Sequence, residues 1–179
     1  MTARSLAVVA VVAIVSAVAG LGYRLWTGGD GAAPGMDPQS AVERVLKARV
    51  ADIQGKDQSL EQWRGRVLVI NYWATWCAPC REEIPVFVRL QERYGGRGLQ
   101  FVGIAIDEPA SVAAFAREFQ INYPLVLGGV DAIELLRQAG NRAGVLPYTL
   151  VIDRNGRLVS REPGGIKEAK LEKLILPLL

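Results

Sequence analysis

The chain has 179 residues, 50% of them hydrophobic. Once an N-terminal stretch of about forty non-globular residues is set aside, that leaves room for one domain of ordinary size with a real core, and not for two. Its 21 Lys plus Arg are scattered among 18 Asp plus Glu for a net charge of +3, a pattern that marks no face for nucleic acid. Histidine is absent, which removes the commonest metal ligand and the usual general base of hydrolases, and no cofactor is expected.

Residues 6–22 form an uncharged run of Ala, Val, Ile, Leu, Gly and Ser that continues past Tyr23 and Arg24 to Leu25 and Trp26. A spanning helix needs about 20 apolar residues, with a lower limit near 17, and the Tyr23 and Trp26 rings suit the interface. We read 6–26 as an uncleaved transmembrane signal anchor, with residues 1–5 as a cytoplasmic stub. A cleaved signal peptide is the rival, because Ala17-Val18-Ala19 resembles an A-x-A cleavage site after a short basic region. On either reading the rest of the chain is exported. Residues 27–39 are too poor in large apolar side chains to pack and read as a flexible tether, so the folded domain is expected over 40–179.

Within that domain, strand and helix patterns alternate. Residues 67–72 and 99–106 are β-rich apolar runs of the kind buried on both faces of a central sheet. Between them, 81–94 carries Ile84, Phe87, Val88 and Leu90 at helical spacing and stops at Gly95-Gly96, which completes a β-α-β unit. Residues 109–119 form a second helix, with Pro109 in a tolerated first-turn position and Val112, Phe115, Ala116 and Phe119 on one face. A short strand at 124–127 and a helix at 131–138 come next. Residues 149–152 and 157–160 flank Asp153-Arg154-Asn155-Gly156 as a hairpin, and 167–176 is a closing helix.

The chain's two cysteines stand as Trp76-Cys77-Ala78-Pro79-Cys80, directly after a central strand and at the start of a helix. A thiolate there is stabilised by unbonded backbone N–H groups and by the helix dipole, so Cys77 should ionise more readily than an ordinary thiol. Cys80, one turn further in, can resolve a mixed disulfide. A purely structural disulfide is the plainer alternative, but so short a loop gives only about 2 kcal/mol in loop-closure entropy. A zinc site would need carboxylates or a second chain to complete its ligands, because two thiolates supply half a set.

The segment Asn71-Tyr72-Trp73-Ala74-Thr75-Trp76-Cys77-Ala78-Pro79-Cys80-Arg81-Glu82-Glu83-Ile84-Pro85 resembles the active-site stretch of the TlpA/ResA-like thioredoxin family. Gly144-Val145-Leu146-Pro147-Tyr148-Thr149-Leu150-Val151-Ile152-Asp153-Arg154-Asn155-Gly156 resembles that family's cis-proline loop and following hairpin. The resemblance implies a thioredoxin-like α/β fold with a central mixed sheet, flanking helices and a β-α insert near residues 107–126. It also implies a thiol:disulfide oxidoreductase with Cys77 as attacking cysteine, Cys80 as resolving cysteine, and Leu146 and Pro147 as substrate-docking residues. Taken alone, Pro147 would have only about a 5–6% chance of being cis, so the family carries that expectation. Glu83 resembles the family's acidic residue beside the pair and is expected to move protons, although a carboxylate in a first helical turn also favours the dipole by about 0.3–1 kcal/mol. Asn71 stands where many cytosolic thioredoxins carry a buried aspartate, which leaves Glu83 or water for that task.

Trp76 is expected on an apolar docking surface, with Trp73 closer to plain core. The leading functional reading is a reductant of disulfides in exported proteins, held on the outer side of a bacterial cytoplasmic membrane and fed by a membrane thiol-transfer protein. Some relatives serve cytochrome c or copper-site assembly, but Tyr148-Thr149 follow Pro147 here, where the cytochrome-maturation branch often places a glutamate. An oxidase or isomerase would use the same pair with a less stable disulfide. A thiol peroxidase would want Thr where Ala74 stands, and a copper chaperone would want His or Met, of which there are none and two.

Overall fold

The computed structural model describes residues 37–179. The anchor expected over 6–26, the stub before it and the tether up to residue 36 lie outside them. Among the described residues no helix is long and apolar enough to cross a membrane.

The first element is helix α1, Pro38–Lys47, which starts two residues before the expected domain boundary. Its start is local chemistry: the Asp37 carboxylate accepts from Ser40 N at 3.1 Å, and Pro38 takes the first helical position, where its missing N–H costs nothing. Ala41, Val42, Val45 and Leu46 form its buried face. A short hairpin that the sequence did not announce comes after it, β1 (Arg49–Asp52) and β2 (Asp57–Ser59). Its turn is held by the Asp52 carboxylate, which accepts from Gln54 N and Lys56 N at 2.9 Å each.

The expected alternation then appears. Strand β3 is Val67–Trp73, helix α2 is Ala78–Tyr94, strand β4 is Leu99–Ala105 and helix α3 is Pro109–Glu118. Strand β5 is Leu125–Leu127, helix α4 is Val130–Gln138, strands β6 and β7 are Tyr148–Ile152 and Leu158–Pro163, and helix α5 is Glu168–Ile175. Helix α2 begins three residues earlier than its apolar spacing predicts. The first turn is Ala78-Pro79-Cys80, whose start is set by a first-turn proline rather than by periodicity.

The strands make one seven-stranded mixed sheet in the order β2-β1-β5-β4-β3-β6-β7. Strands β3, β4 and β5 run parallel, and β6 and β1 are antiparallel to their neighbours. β3 lies at the centre, buried along its whole length, and its side chains alternate between two cores. Val67, Val69 and Trp73 join Leu99, Phe101 and Phe87 on the face covered by α2, α3 and α5. Leu68, Ile70 and Tyr72 join Val102, Leu150 and the α1 and α4 side chains on the other. Asn71 occupies the first face as a polar exception, 2% exposed, directly opposite Thr149 of β6. The closing hairpin is pinned by Asp153, whose carboxylate accepts from Asn155 N and Arg157 N at 2.9 Å each.

Candidate active site

The cysteine pair sits where the central strand β3 hands over to α2. Cys77 is the N-cap residue of that helix in an extended conformation, and its carbonyl accepts from Arg81 N at 3.2 Å. The N–H groups of Ala78 and Cys80 precede the first intrahelical bond, and Pro79 has none to offer. Two backbone donors and the positive end of a 17-residue helix are therefore concentrated at the pair. That is the environment that stabilises a thiolate. Cys77 and Cys80 are joined as a disulfide with Cα atoms 5.3 Å apart. Cys77 keeps 6% of its surface and Cys80 keeps none, so Cys77 is the cysteine open to an incoming disulfide.

The loop before the pair is braced from the end of β4. Asp107 accepts from Thr75 N at 2.9 Å and from the Thr75 hydroxyl, and these bonds hold its carboxyl below the usual carboxylate value against the opposing effect of burial. Arg81 reaches back to Thr75 O at 3.3 Å and lays its guanidinium over Phe115 and Phe119, at 5.0 and 5.2 Å from the two ring centroids. Those rings belong to the insert, so the insert packs against the active-site turn. Trp73 also packs on Phe115, at 5.1 Å, and is core, whereas Trp76 is 70% exposed beside the pair.

The Leu146–Pro147 peptide is cis, as the family resemblance implied. Pro147 is buried, Leu146 half-buried and Val145 exposed. Asn141 clamps this loop from both sides: its amide nitrogen donates to Val145 O at 2.6 Å and its oxygen accepts from Val145 N at 3.1 Å. Gly164 N donates to Pro147 O at 2.9 Å. Gly164 has φ +78°, which a side chain would strain, and a Cβ on the neighbouring Gly165 would stand 3.8 Å from Pro79. The turn after β7 thus touches both the proline loop and the cysteine motif.

Glu83 lies one turn along α2 from Cys80 and is 3% exposed, well away from a solvated first-turn position. Its carboxylate accepts from Asn71 Nδ2 at 2.8 Å and from Ile166 N at 3.0 Å. Burial pushes the carboxyl up to about 7, and the two donors oppose that rise without cancelling it. A carboxyl poised there can hold or release a proton near neutrality. Reasoning from the sequence selected Cys77, Cys80, Glu83, Trp76, Leu146 and Pro147. It passed over Asp107, Asn141 and the Gly164–Ile166 turn. Asp107, the first charge after a buried strand, was the one of these with a readable signal.

Comparisons with known proteins agree with this geometry. The profile of the AhpC/TSA family matches residues 40–161. The thiol-disulfide oxidoreductase ResA of Geobacillus thermodenitrificans is 33% identical over 110 residues, 61% of this chain and 61% of that protein. Its counterpart in Geobacillus kaustophilus is 31% identical over 125 residues, 69% of this chain and 70% of that protein. Among solved structures, a thiol:disulfide interchange protein of the thioredoxin family from Chlorobium tepidum superposes with a TM-score of 0.67 at 28% identity, covering 73% of this chain and 92% of its own. A DsbF homologue from Corynebacterium diphtheriae gives 0.67 at 26% identity, covering 75% and 85%. With a strand–turn–helix dithiol, a cis-proline loop beside it and relatives of this kind, the chain belongs to the AhpC/TSA family and is a thiol-disulfide oxidoreductase of thioredoxin-like fold.

Proposed function

We propose that the protein is a membrane-anchored reductant of disulfides in exported proteins, its domain on the outer side of a bacterial cytoplasmic membrane. The observation that carries the chemistry is the Cys77–Cys80 pair at the start of α2, in which Cys77 alone keeps exposed surface. The apolar run at residues 6–22 supports the anchor and the location. Outside the cytoplasm such a pair would be kept oxidised, so a membrane thiol-transfer protein is the electron donor that reduction requires.

In this reading the Cys77 thiolate attacks one sulfur of a client disulfide lying against Trp76 and the Leu146–Pro147 loop. The client's other sulfur leaves as a thiolate. Cys80 then gives its proton to Glu83, and its thiolate attacks the Cys77 sulfur of the mixed disulfide and expels the second client sulfur. The client has gained two electrons and the chain ends with the Cys77–Cys80 disulfide. The donor returns it to the dithiol by the reverse exchange.

The reduction potential tests the direction. A reductant should lie nearer about −270 mV than the strongly oxidising value of about −120 mV, a gap of about 7 kcal/mol for two electrons. Equilibrating the full chain in detergent micelles with glutathione or dithiothreitol buffers gives the number, and a value at the oxidising end would make the protein an oxidant. Labelling of reduced Cys77 in intact cells by an impermeant thiol reagent tests the location; labelling only after the membrane is breached would overturn it.

A further inference from the structure

Glu83 is one member of a buried polar group that spans two strands and a helix. Asn71 Nδ2 donates to Glu83 Oε1 at 2.8 Å and to Thr149 Oγ1 at 3.0 Å. Asn71 is 2% exposed, Glu83 3% and Thr149 not at all. Both amide hydrogens are thus used toward one side, and among the described residues Asn71 Oδ1 has no hydrogen-bond partner. A buried amide oxygen left in that condition is costly, and its orientation needs a reason.

The reason lies in what each end of the amide can face. A carboxylate is acceptor-only and requires the NH₂ end, whereas a carboxylic acid carries an O–H that can donate to the oxygen end. A half-turn about the Cβ–Cγ bond of Asn71 exchanges the two ends in place. A hydroxyl such as that of Thr149 can accept from one and donate to the other. The orientation in the structure therefore matches ionised Glu83, or a neutral acid protonated on Oε2, and the inverted one requires a neutral acid whose O–H is on Oε1.

We propose that Asn71 and Thr149 are positioning residues for Glu83, the Asn71 amide presenting Nδ2 to the carboxylate and turning over to present Oδ1 when Glu83 takes up a proton. This rests on the reading of Glu83 as the acceptor of the Cys80 proton. The carboxyl then keeps a hydrogen bond to Asn71 in either protonation state, while in the inverted orientation the Asn71 N–H groups give up the Glu83 and Thr149 acceptors they hold in the structure. With an apolar residue at position 71, burial and the single Ile166 N–H would remain, and Glu83 would hold its proton more tightly.

Other ionisable groups surround this network without substituting for it. Tyr123 is buried, and its hydroxyl is held neutral by that burial and by the charge of Glu83. Cys80 lies on the same helix and carries no charge in the disulfide. Glu82, Lys167 and Glu168 line a cavity of about 320 Å³ on the solvent side of Glu83, with Glu168 paired to Arg89 at 2.7 Å. Beyond Thr149, its strand neighbour Glu162 is neutralised by Lys170.

The test tracks the Glu83 carboxyl carbon and the Asn71 side-chain amide by NMR against pH, on the full chain in detergent micelles. The two signals should share one midpoint. Asn71→Leu should raise the Glu83 midpoint by about one pH unit, a tenfold gain in proton affinity. Thr149→Val should raise it by less, and Thr149→Ser, which keeps the hydroxyl, should restore the parent value. An Asn71 amide that does not respond at the Glu83 midpoint overturns the proposal, as does a Thr149→Val midpoint equal to that of the parent; the threonine pair decides the matter even if Asn71→Leu fails to fold. The pH profile of mixed-disulfide resolution in Glu83→Gln separates the two levels. A parental profile there removes Glu83 from proton transfer, whereas an altered profile with unmoved midpoints in the Asn71 and Thr149 variants overturns the positioning role alone.

Discussion

Replacing Glu83 by Gln exchanges a buried titrating group for a neutral one of nearly the same shape, and the sign of its effect on stability depends on pH. Burial pushes the carboxyl up to about 7 from an ordinary 4.5, so the folded protein binds this proton more tightly than the unfolded chain. Below the unfolded value both states hold it and no ionic penalty exists. As pH rises through the window between the two values, the unfolded chain ionises first and stability is lost, fully so above the folded value. A shift of that size is worth about 3 kcal/mol. At acidic pH Gln should cost about 1 kcal/mol, because its amide must re-pair with Asn71 and Ile166. Relative to the parent, the variant should therefore rise from slightly less stable at acidic pH to more stable by about 2 kcal/mol at alkaline pH. Urea unfolding of the disulfide form at a series of pH values measures this, and the other carboxylates cancel because both proteins carry them. A difference that stays flat across the window, or one that falls with pH, would refute the argument that burial dominates at Glu83.

The same geometry sets further outcomes. In the reduced protein Cys77 should be alkylated faster than Cys80, since 6% of its surface is open against none, and the reverse order in Cys77→Ser and Cys80→Ser variants would exchange their roles. Trp76→Ala should change stability by less than about 0.5 kcal/mol, because the ring is 70% exposed, while lowering the rate of client reduction. Gly103→Ala should destabilise by about 1–3 kcal/mol in urea, since its Cβ would stand 2.6 Å from a Leu125 methyl and 2.9 Å from Trp73 Nε1. With Ala74 in place of the threonine a thiol peroxidase uses, peroxide turnover above that of a Cys77→Ser control would contradict the proposal that the pair serves disulfides rather than peroxide.

Most strands and helices, and the chemistry of the dithiol, are written in local stretches of the chain. β3 and β4 are continuous apolar runs, α2 repeats its apolar residues at helical spacing, and the two cysteines straddle the point where one pattern gives way to the other. These properties are carried by the side chains of one segment and can be read without knowing what packs against it. The β1–β2 hairpin escaped because its strands are short and polar and β5, the other partner of β1, lies more than seventy residues away. The site divides in the same way. Cys77 and Cys80 were legible from spacing, and Pro147 and Glu83 through the family resemblance. The contacts around Glu83 exist only in three dimensions, because Asn71 and Ile166 reach it from a strand and a distant turn, and Thr149 reaches Asn71 from a second strand. A carboxyl's proton affinity depends on its burial and on the donors that face it, and both are properties of the assembled core rather than of any one segment.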